Sequence, residues 1–280
     1  MGLIQLSDGG SLMQVEILGT EDGQLRVMAR GTEPTLMNAI RRTIMSEVAV
    51  PAIDKVYVAE NTGVLYDEII AHRLGLVPLK GGENLKLPEE CECGGKGCPS
   101  CEAVLSLDVE ATSDKHLVLS GKLKAEGTVF PANSQIPIVE LNTGQRLALE
   151  AHARLGRGKD HAKWHPASVA VVKYEPVVEI DMEKCDLCAL CVEECPKRIL
   201  EVRNKALVVN EITKCSLCKV CESICPRGAV KVSYNTSNSM LTVETAGSLS
   251  NDELITAACD IIIKKANELK KLIGELAEAQ

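Results

Sequence analysis

The sequence predicts an α+β chain with a ferredoxin-like domain in its second half, and three observations carry that prediction. The pattern C-x2-C-x2-C-x3-C-P occurs twice, at Cys185–Pro196 and again thirty residues later at Cys215–Pro226. Strand-like alternation fills the middle of the chain. An amphipathic helical pattern stands near each end.

Composition sets the outer bounds. A length of 280 residues suggests two or three domains. With 45% hydrophobic but only 2% aromatic residues, the cores must be built from Leu, Ile, Val and Ala. The net charge of −8 argues against a broad nucleic-acid-binding face. The scarcity of aromatics argues against a base-stacking platform. No apolar run approaches 18 residues, so no membrane span is expected. The start, "MGLIQLSDGGSL", has neither a basic segment nor a long apolar one, and Ser7 lies one place beyond the position a myristoylation motif prefers. A cytoplasmic protein is expected. Thirteen cysteines in a reducing compartment then point to metal ligation and not to disulfides.

The first thirty residues alternate weakly, with turn signals at Asp8-Gly9-Gly10 and Asp22-Gly23, and read as a hairpin or as two edge strands. Thr32 can cap a helix whose first turn holds Pro34. Met37, Ile40, Ile44 and Val48 recur at helical spacing, and the helix must end before Pro51. Residues 52 to about 178 are mixed. "KVYVA", "VLSLDVEA" and "SVAVVKYEPVVEI" read as strands, and "YDEIIAHRL" as a short helix closed by Gly75 and Pro78. "VVEIDMEKC" and "LVVNEITKC" precede the two cysteine motifs, so the iron–sulfur segment is an internal duplication. "KVSYNTSNSMLTVETAG" reads as a strand pair about an Asn/Ser turn. A long helix follows, opened by a Ser250/Glu253 capping box. Its stripe of Ile255, Cys259, Ile262, Ala266, Leu269, Ile273 and Leu276 has a heptad rhythm. That stripe fits packing on the chain's own sheet or a seam with a second chain. Both hold if Leu254, Ala258, Ile261 and Leu272 supply a second apolar face.

The two cysteine motifs predict two 4Fe-4S clusters. In two-cluster ferredoxins the fourth cysteine of each motif ligates the other cluster. One cluster is therefore assigned to Cys185, Cys188, Cys191 and Cys225, and the other to Cys215, Cys218, Cys221 and Cys195. A third group, Cys91, Cys93, Cys98 and Cys101, stands in "CECGGKGCPSC" and resembles a zinc knuckle. Four thiolates suit a closed, structural zinc site. Free reactive thiols or a further cluster are the other readings. Cys259 outside these sets reads as a small core residue as well as a member of the helical stripe.

Other chemistry is thinly represented. "LGRGKD" lacks the glycine spacing of a phosphate loop, and no clustered Asp triplet could hold catalytic magnesium. His161 and His165, in "HAKWHP", read as hydrogen-bonded structure before they read as ligands.

Two longer blocks carry more specific information. "NAIRRTIMSEVAVPAIDKVYVAENTGVLYDEIIAHRLGLVPL", residues 38–79, resembles the signature of the alpha-type assembly subunits of cellular RNA polymerases. "HARLGRGKDHAKWHP", residues 152–166, is similar to a second block of the archaeal and eukaryotic branch of that family. Ferredoxin insertions occur in some archaeal members. The resemblance implies a discontinuous alpha-type dimerisation domain (residues 1–50 and 233–280), an inserted mixed β assembly domain (51–178) and a ferredoxin-like domain (179–232).

It further implies pairing with the small subunit L through Met37, Ile40, Arg41, Ile44, Ile255, Cys259, Ile262, Leu269 and Ile273. The large catalytic subunits and the small subunits N and P would dock on the inserted domain, with DNA reached only through the assembled complex. The enzyme would be a nucleotidyltransferase, to which this chain contributes no catalytic residue. The competing reading is an electron-transfer subunit of a redox enzyme. That reading needs a flavin or molybdenum partner, and nothing outside residues 179–232 supports it. The clusters themselves fit a structural role, a regulatory one, or both.

Overall fold

A computed structural model describes residues 3–6, 13–21 and 23–278. The Asp8-Gly9-Gly10 turn signal lies outside them. The described chain opens with strands β1 (Leu3–Leu6), β2 (Met13–Glu21) and β3 (Gln24–Arg30), then helix α1 (Pro34–Ser46). Strand β4 (Ala49–Asn61) and helix α2 (Asp67–Gly75) follow. Next come β5 (Leu79–Lys80), β6 (Glu102–Glu110), β7 (His116–Leu119), β8 (Lys124–Ala125), β9 (Phe130–Pro131) and β10 (Pro137–Leu141). The long strands β11 (Arg146–Arg157) and β12 (Ala167–Ile180) lead into the iron–sulfur segment. That segment holds α3 (Leu190–Glu193), β13 (Leu200–Arg203), β14 (Ala206–Val209) and α4 (Val220–Ser223). The chain closes with β15 (Val230–Thr245) and helix α5 (Asn251–Glu278). The α+β expectation holds.

The chain divides into two compact units. The first joins residues 1–19, 26–38 and 171–242. Its sheet has the order β1-β2-β3-β15-β12, so β2 and β3 are neighbours; Asp22 of the expected turn between them lies outside the described residues. The expected strand pair after the iron–sulfur segment is instead one continuous sixteen-residue strand, β15. The Asn/Ser run has no Gly or Pro to force a reversal. Both flanks of β15 are satisfied by neighbours. Thr32 N–H donates to the Ser237 carbonyl (3.0 Å), Gly31 N–H to Asn238 Oδ1 (3.1 Å), and Asn238 Nδ2 to Glu175 (2.6 Å). A polar central strand holds here because its ladder is paired and Asn238 finds partners on both sides, although the buried Ser239 Oγ has none.

The second unit joins residues 20–25, 39–170 and 243–280. Its sheet runs β4-β11-β6-β8. Strand β11 pairs antiparallel with β4 along its length and with β6 from Arg146↔Glu110 to Arg154↔Glu102. Leu147, Leu149, Ala151 and Ala153 alternate inward from it, onto a core shared with Ile70 and Leu74 of α2 and Leu105 and Leu107 of β6. The α5 capping box is present: Ser250 N–H donates to Glu253 (2.8 Å), and Glu253 N–H to Ser250 Oγ (3.4 Å). No described helix is long and apolar enough to cross a membrane.

Candidate metal centres and assembly surfaces

The iron–sulfur segment brings its eight cysteines together in two groups of four. One small cavity is lined by Cys185, Cys188 and Cys191 with Cys225 from the second motif. The other is lined by Cys215, Cys218 and Cys221 with Cys195 from the first. The crossover has a local cause. After each short helix, α3 and α4, the chain turns at the proline and returns to the sheet, carrying the fourth cysteine away from its own loop.

Backbone conformation repeats the duplication. Leu187, Ala189 and Arg198 in the first motif have φ of 59°, 63° and 49°. Leu217, Lys219 and Gly228, at the matching positions of the second, have 58°, 60° and 60°. Five of these six are not glycine, and each left-handed non-glycine residue costs on the order of 1–3 kcal/mol. Alternating right- and left-handed residues turn successive N–H groups inward and form an anion-binding concavity of the kind that holds iron–sulfur clusters.

The thiols are held unequally: a backbone hydrogen bond from Val220 lowers Cys218, and at Cys225 backbone hydrogen bonds outweigh burial and lower it as well. Burial and the neighbouring Cys195 and Cys215 push the Cys221 thiol up to about 11, and burial raises Cys191. Four crowded thiolates are costly without a cationic centre. The residues present therefore fit two cubane clusters. With Ile199, Leu200, Leu207, Val230 and Val232, buried cysteines are themselves part of this segment's core.

The third group forms a tight tetrad. The four Sγ atoms of Cys91, Cys93, Cys98 and Cys101 all lie within 4.8 Å of one another. Four of the separations are 3.5, 3.5, 3.5 and 3.7 Å. A tetrahedron with zinc–sulfur bonds of ~2.3 Å has sulfur–sulfur edges of about 3.8 Å. The loop closes this tightly because Gly94, Gly95 and Gly97 all adopt positive φ (63°, 76° and 96°). Cys91 and Cys101 are buried. Side-chain hydrogen bonding with Cys91 and Cys101 draws the Cys93 thiol down to about 6, while burial pushes Cys101 up to about 12. Arg157 ties the preceding turn to β11 through Glu89 (2.6 Å).

"HAKWHP" is structural. Trp164 is buried, its Nε1 donates to the Arg154 carbonyl (3.3 Å), and Lys163 Nζ lies 4.3 Å from its ring centroid. Lys163 and Arg154 both bind Asp54, at 2.5 and 2.7 Å. The glycines of "LGRGKD" serve this packing. A Cβ on Gly156 would stand 2.3 Å from the Trp164 ring, and one on Gly158 would stand 1.9 Å from the Met45 carbonyl oxygen.

The expected interface residues separate into two classes. Met37, Ile40 and Ile44 of α1 are already buried within this chain, with Arg41 half-buried beside them. In α5 the face packed on the chain is Leu254 and Ala258, both fully buried, while Ile255, Cys259 and Ile262 are half-buried. Beyond Ile262 every described side chain of α5 is exposed. Ile263, Leu269, Leu272, Ile273 and Leu276 are 57–69% exposed. Contiguous apolar surface left this uncovered is uncommon on a soluble monomer.

Comparison with known proteins agrees with this anatomy. Residues 56–181 match the family model "RNA polymerase Rpb3/RpoA insert domain", and residues 178–201 match "4Fe-4S binding domain". The DNA-directed RNA polymerase subunit Rpo3 of Archaeoglobus fulgidus is 39% identical over 94% of this chain and 98% of its own length. The chain belongs to the Rpo3 family of DNA-directed RNA polymerase subunits. Rpo3 of Methanosphaera stadtmanae is 35% identical over 94% of this chain and 99% of itself, and that of Aeropyrum pernix 33% over 95% of each. Family likeness runs through both compact units, including the sheet on which the cysteine tetrad loop is mounted.

Proposed function

We propose that this chain is a non-catalytic assembly platform of a DNA-directed RNA polymerase. The observation that carries the reading is the division of its apolar surface. Helix α1 spends its stripe inside the chain, whereas the C-terminal half of α5 offers Leu269, Leu272, Ile273 and Leu276 to a partner. The partner is the small subunit L, and the large catalytic subunits and the small subunits N and P dock on the inserted domain. The absence of a clustered Asp triplet in the sequence supports a non-catalytic role within the nucleotidyltransferase.

Two 4Fe-4S clusters are held by Cys185, Cys188, Cys191 and Cys225 and by Cys195, Cys215, Cys218 and Cys221. When bound, they supply the folding free energy that this aromatic-free segment lacks. A zinc ion held by Cys91, Cys93, Cys98 and Cys101 pins the loop between β5 and β6. Cluster loss in turn weakens assembly, which makes the domain able to couple assembly to iron supply. Co-expression with the small subunit tests the platform reading. The full chain is expected to give a one-to-one complex on size exclusion, and a chain ending at Asp260 none. Equal complex formation by both would overturn it.

A further inference from the structure

The duplicated motifs are matched in backbone but not in charge. The cavity of Cys185, Cys188, Cys191 and Cys225 has one charged lining residue, Asp186. Its carboxylate accepts from Cys188 N–H (3.2 Å) and pairs with Arg227 at 3.4 Å. The cavity of Cys195, Cys215, Cys218 and Cys221 is lined instead by Lys197 and Lys219. Lys197 stands two residues after the fourth cysteine of its motif, as Arg227 does in the other. Arg227 has its carboxylate, whereas Lys197 and Lys219 have no ion-pair partner among the described residues.

A third cation completes the asymmetry. Lys173, on β12, is half-buried, and its Nζ donates to the carbonyls of Thr213 (2.6 Å) and Cys215 (3.0 Å). The second of these belongs to a cluster ligand.

We propose that Lys173, with Lys197 and Lys219, makes the two clusters electrostatically inequivalent. The cluster held by Cys195, Cys215, Cys218 and Cys221 is then the easier to reduce. Reduction adds one electron from an external low-potential donor and takes that cluster from the 2+ to the 1+ state, with no bond made or broken. Nearby positive charge stabilises the more negative product, and the neighbouring carboxylate disfavours it at the other site. A first electron therefore resides on the second-motif cluster. Lys173 is a positioning and tuning residue, since it touches a ligand's backbone and not the iron.

The inference rests on the two-cluster reading, and the test separates the two. Iron and sulfide are first counted in the anaerobically purified chain with its small partner subunit. About four iron atoms or fewer refutes the two-cluster reading itself, since a single 4Fe-4S cluster accounts for four and two clusters need about eight. With both clusters present, a redox titration followed by electron paramagnetic resonance is expected to resolve two unequal potentials. Lys173→Met is expected to lower only the higher one, shifting the ratio of the two singly reduced forms about tenfold, or about 59 mV for a one-electron couple. Lys173→Arg should restore it, and Asp186→Asn should raise only the lower one. Should Lys173→Met lose iron, Lys173→Arg and Asp186→Asn still decide. Equal potentials in the unaltered protein, or a Lys173→Met effect confined to the lower potential, would overturn the inference.

Discussion

The exposed end of α5 makes a quantitative demand on the partner. Leu269 and Ile273 are one turn apart and 59% and 57% exposed. Each leaves roughly 100 Å² of apolar surface in water, worth about 2.5 kcal/mol at ~25 cal/mol per Å² if wholly covered. Truncation to Ala keeps part of that area and an interface covers the rest imperfectly, so each substitution should cost about 1–2 kcal/mol of binding. The pair Leu269→Ala with Ile273→Ala should then cost about 3 kcal/mol, roughly a hundredfold in Kd. Calorimetric titration with the small subunit measures this. The stability of the chain alone should barely change, because neither side chain is covered in it. Lys271→Ala is the control, since its contact with Glu275 (3.8 Å) is an exposed pair of little energetic weight. A Kd within twofold of the unaltered chain would refute the assignment of this stripe to the interface.

Other outcomes follow from the same structure. One equivalent of zinc should co-purify, survive air, and be lost in Cys98→Ser with Cys101→Ser; zinc below about a tenth of an equivalent in the intact chain would contradict the tetrad assignment. Zinc uptake by the metal-free chain should release protons, and apparent affinity should fall as pH falls, because the thiols held near and above neutrality must lose protons to bind; colorimetric competition at several pH values checks this. Cys225→Ser should remove the same cluster as Cys185→Ser although they lie in different motifs, leaving about half the iron by elemental analysis. Gly156→Ala should destabilise the second unit by about 1–3 kcal/mol in denaturant titration, because Trp164 cannot retreat from the added methyl without surrendering its bond to the Arg154 carbonyl. Burial would raise the Asp54 carboxyl, but Lys163 and Arg154 outweigh burial and hold it low. Its contribution is therefore complete above the ordinary carboxylate range and lost as pH falls below it; the acid limb of an unfolding curve should flatten in Asp54→Asn.

Much of this was legible because the relevant signals are short-range. The duplicated cysteine spacing, with the crossed fourth ligand of two-cluster ferredoxins, is enough to name the two quartets. The α1 stripe, the short helix α2 and the Ser250/Glu253 box are local patterns that the structure repeats. The error at β15 has the opposite origin. Asn235 to Ser239 is turn-like in composition, but Gly31, just past β3, and Glu175, more than sixty residues distant in sequence, hold it extended. The α5 stripe showed an apolar seam without showing which part of it the chain already covers. The "LGRGKD" glycines gave no local hint that a tryptophan ring lies against them. Lys173 was invisible for the same reason, because a lysine in a strand announces nothing until the fold brings the Cys215 carbonyl to it.

The most direct test of the assembly role is an anaerobic affinity purification of the tagged chain from its own cell, with mass spectrometry of whatever co-purifies in stoichiometric amount. Polymerase large subunits together with one small partner of ~10 kDa are the predicted result. A flavoprotein or other oxidoreductase without polymerase subunits would contradict it and make the iron–sulfur segment the chain's principal function.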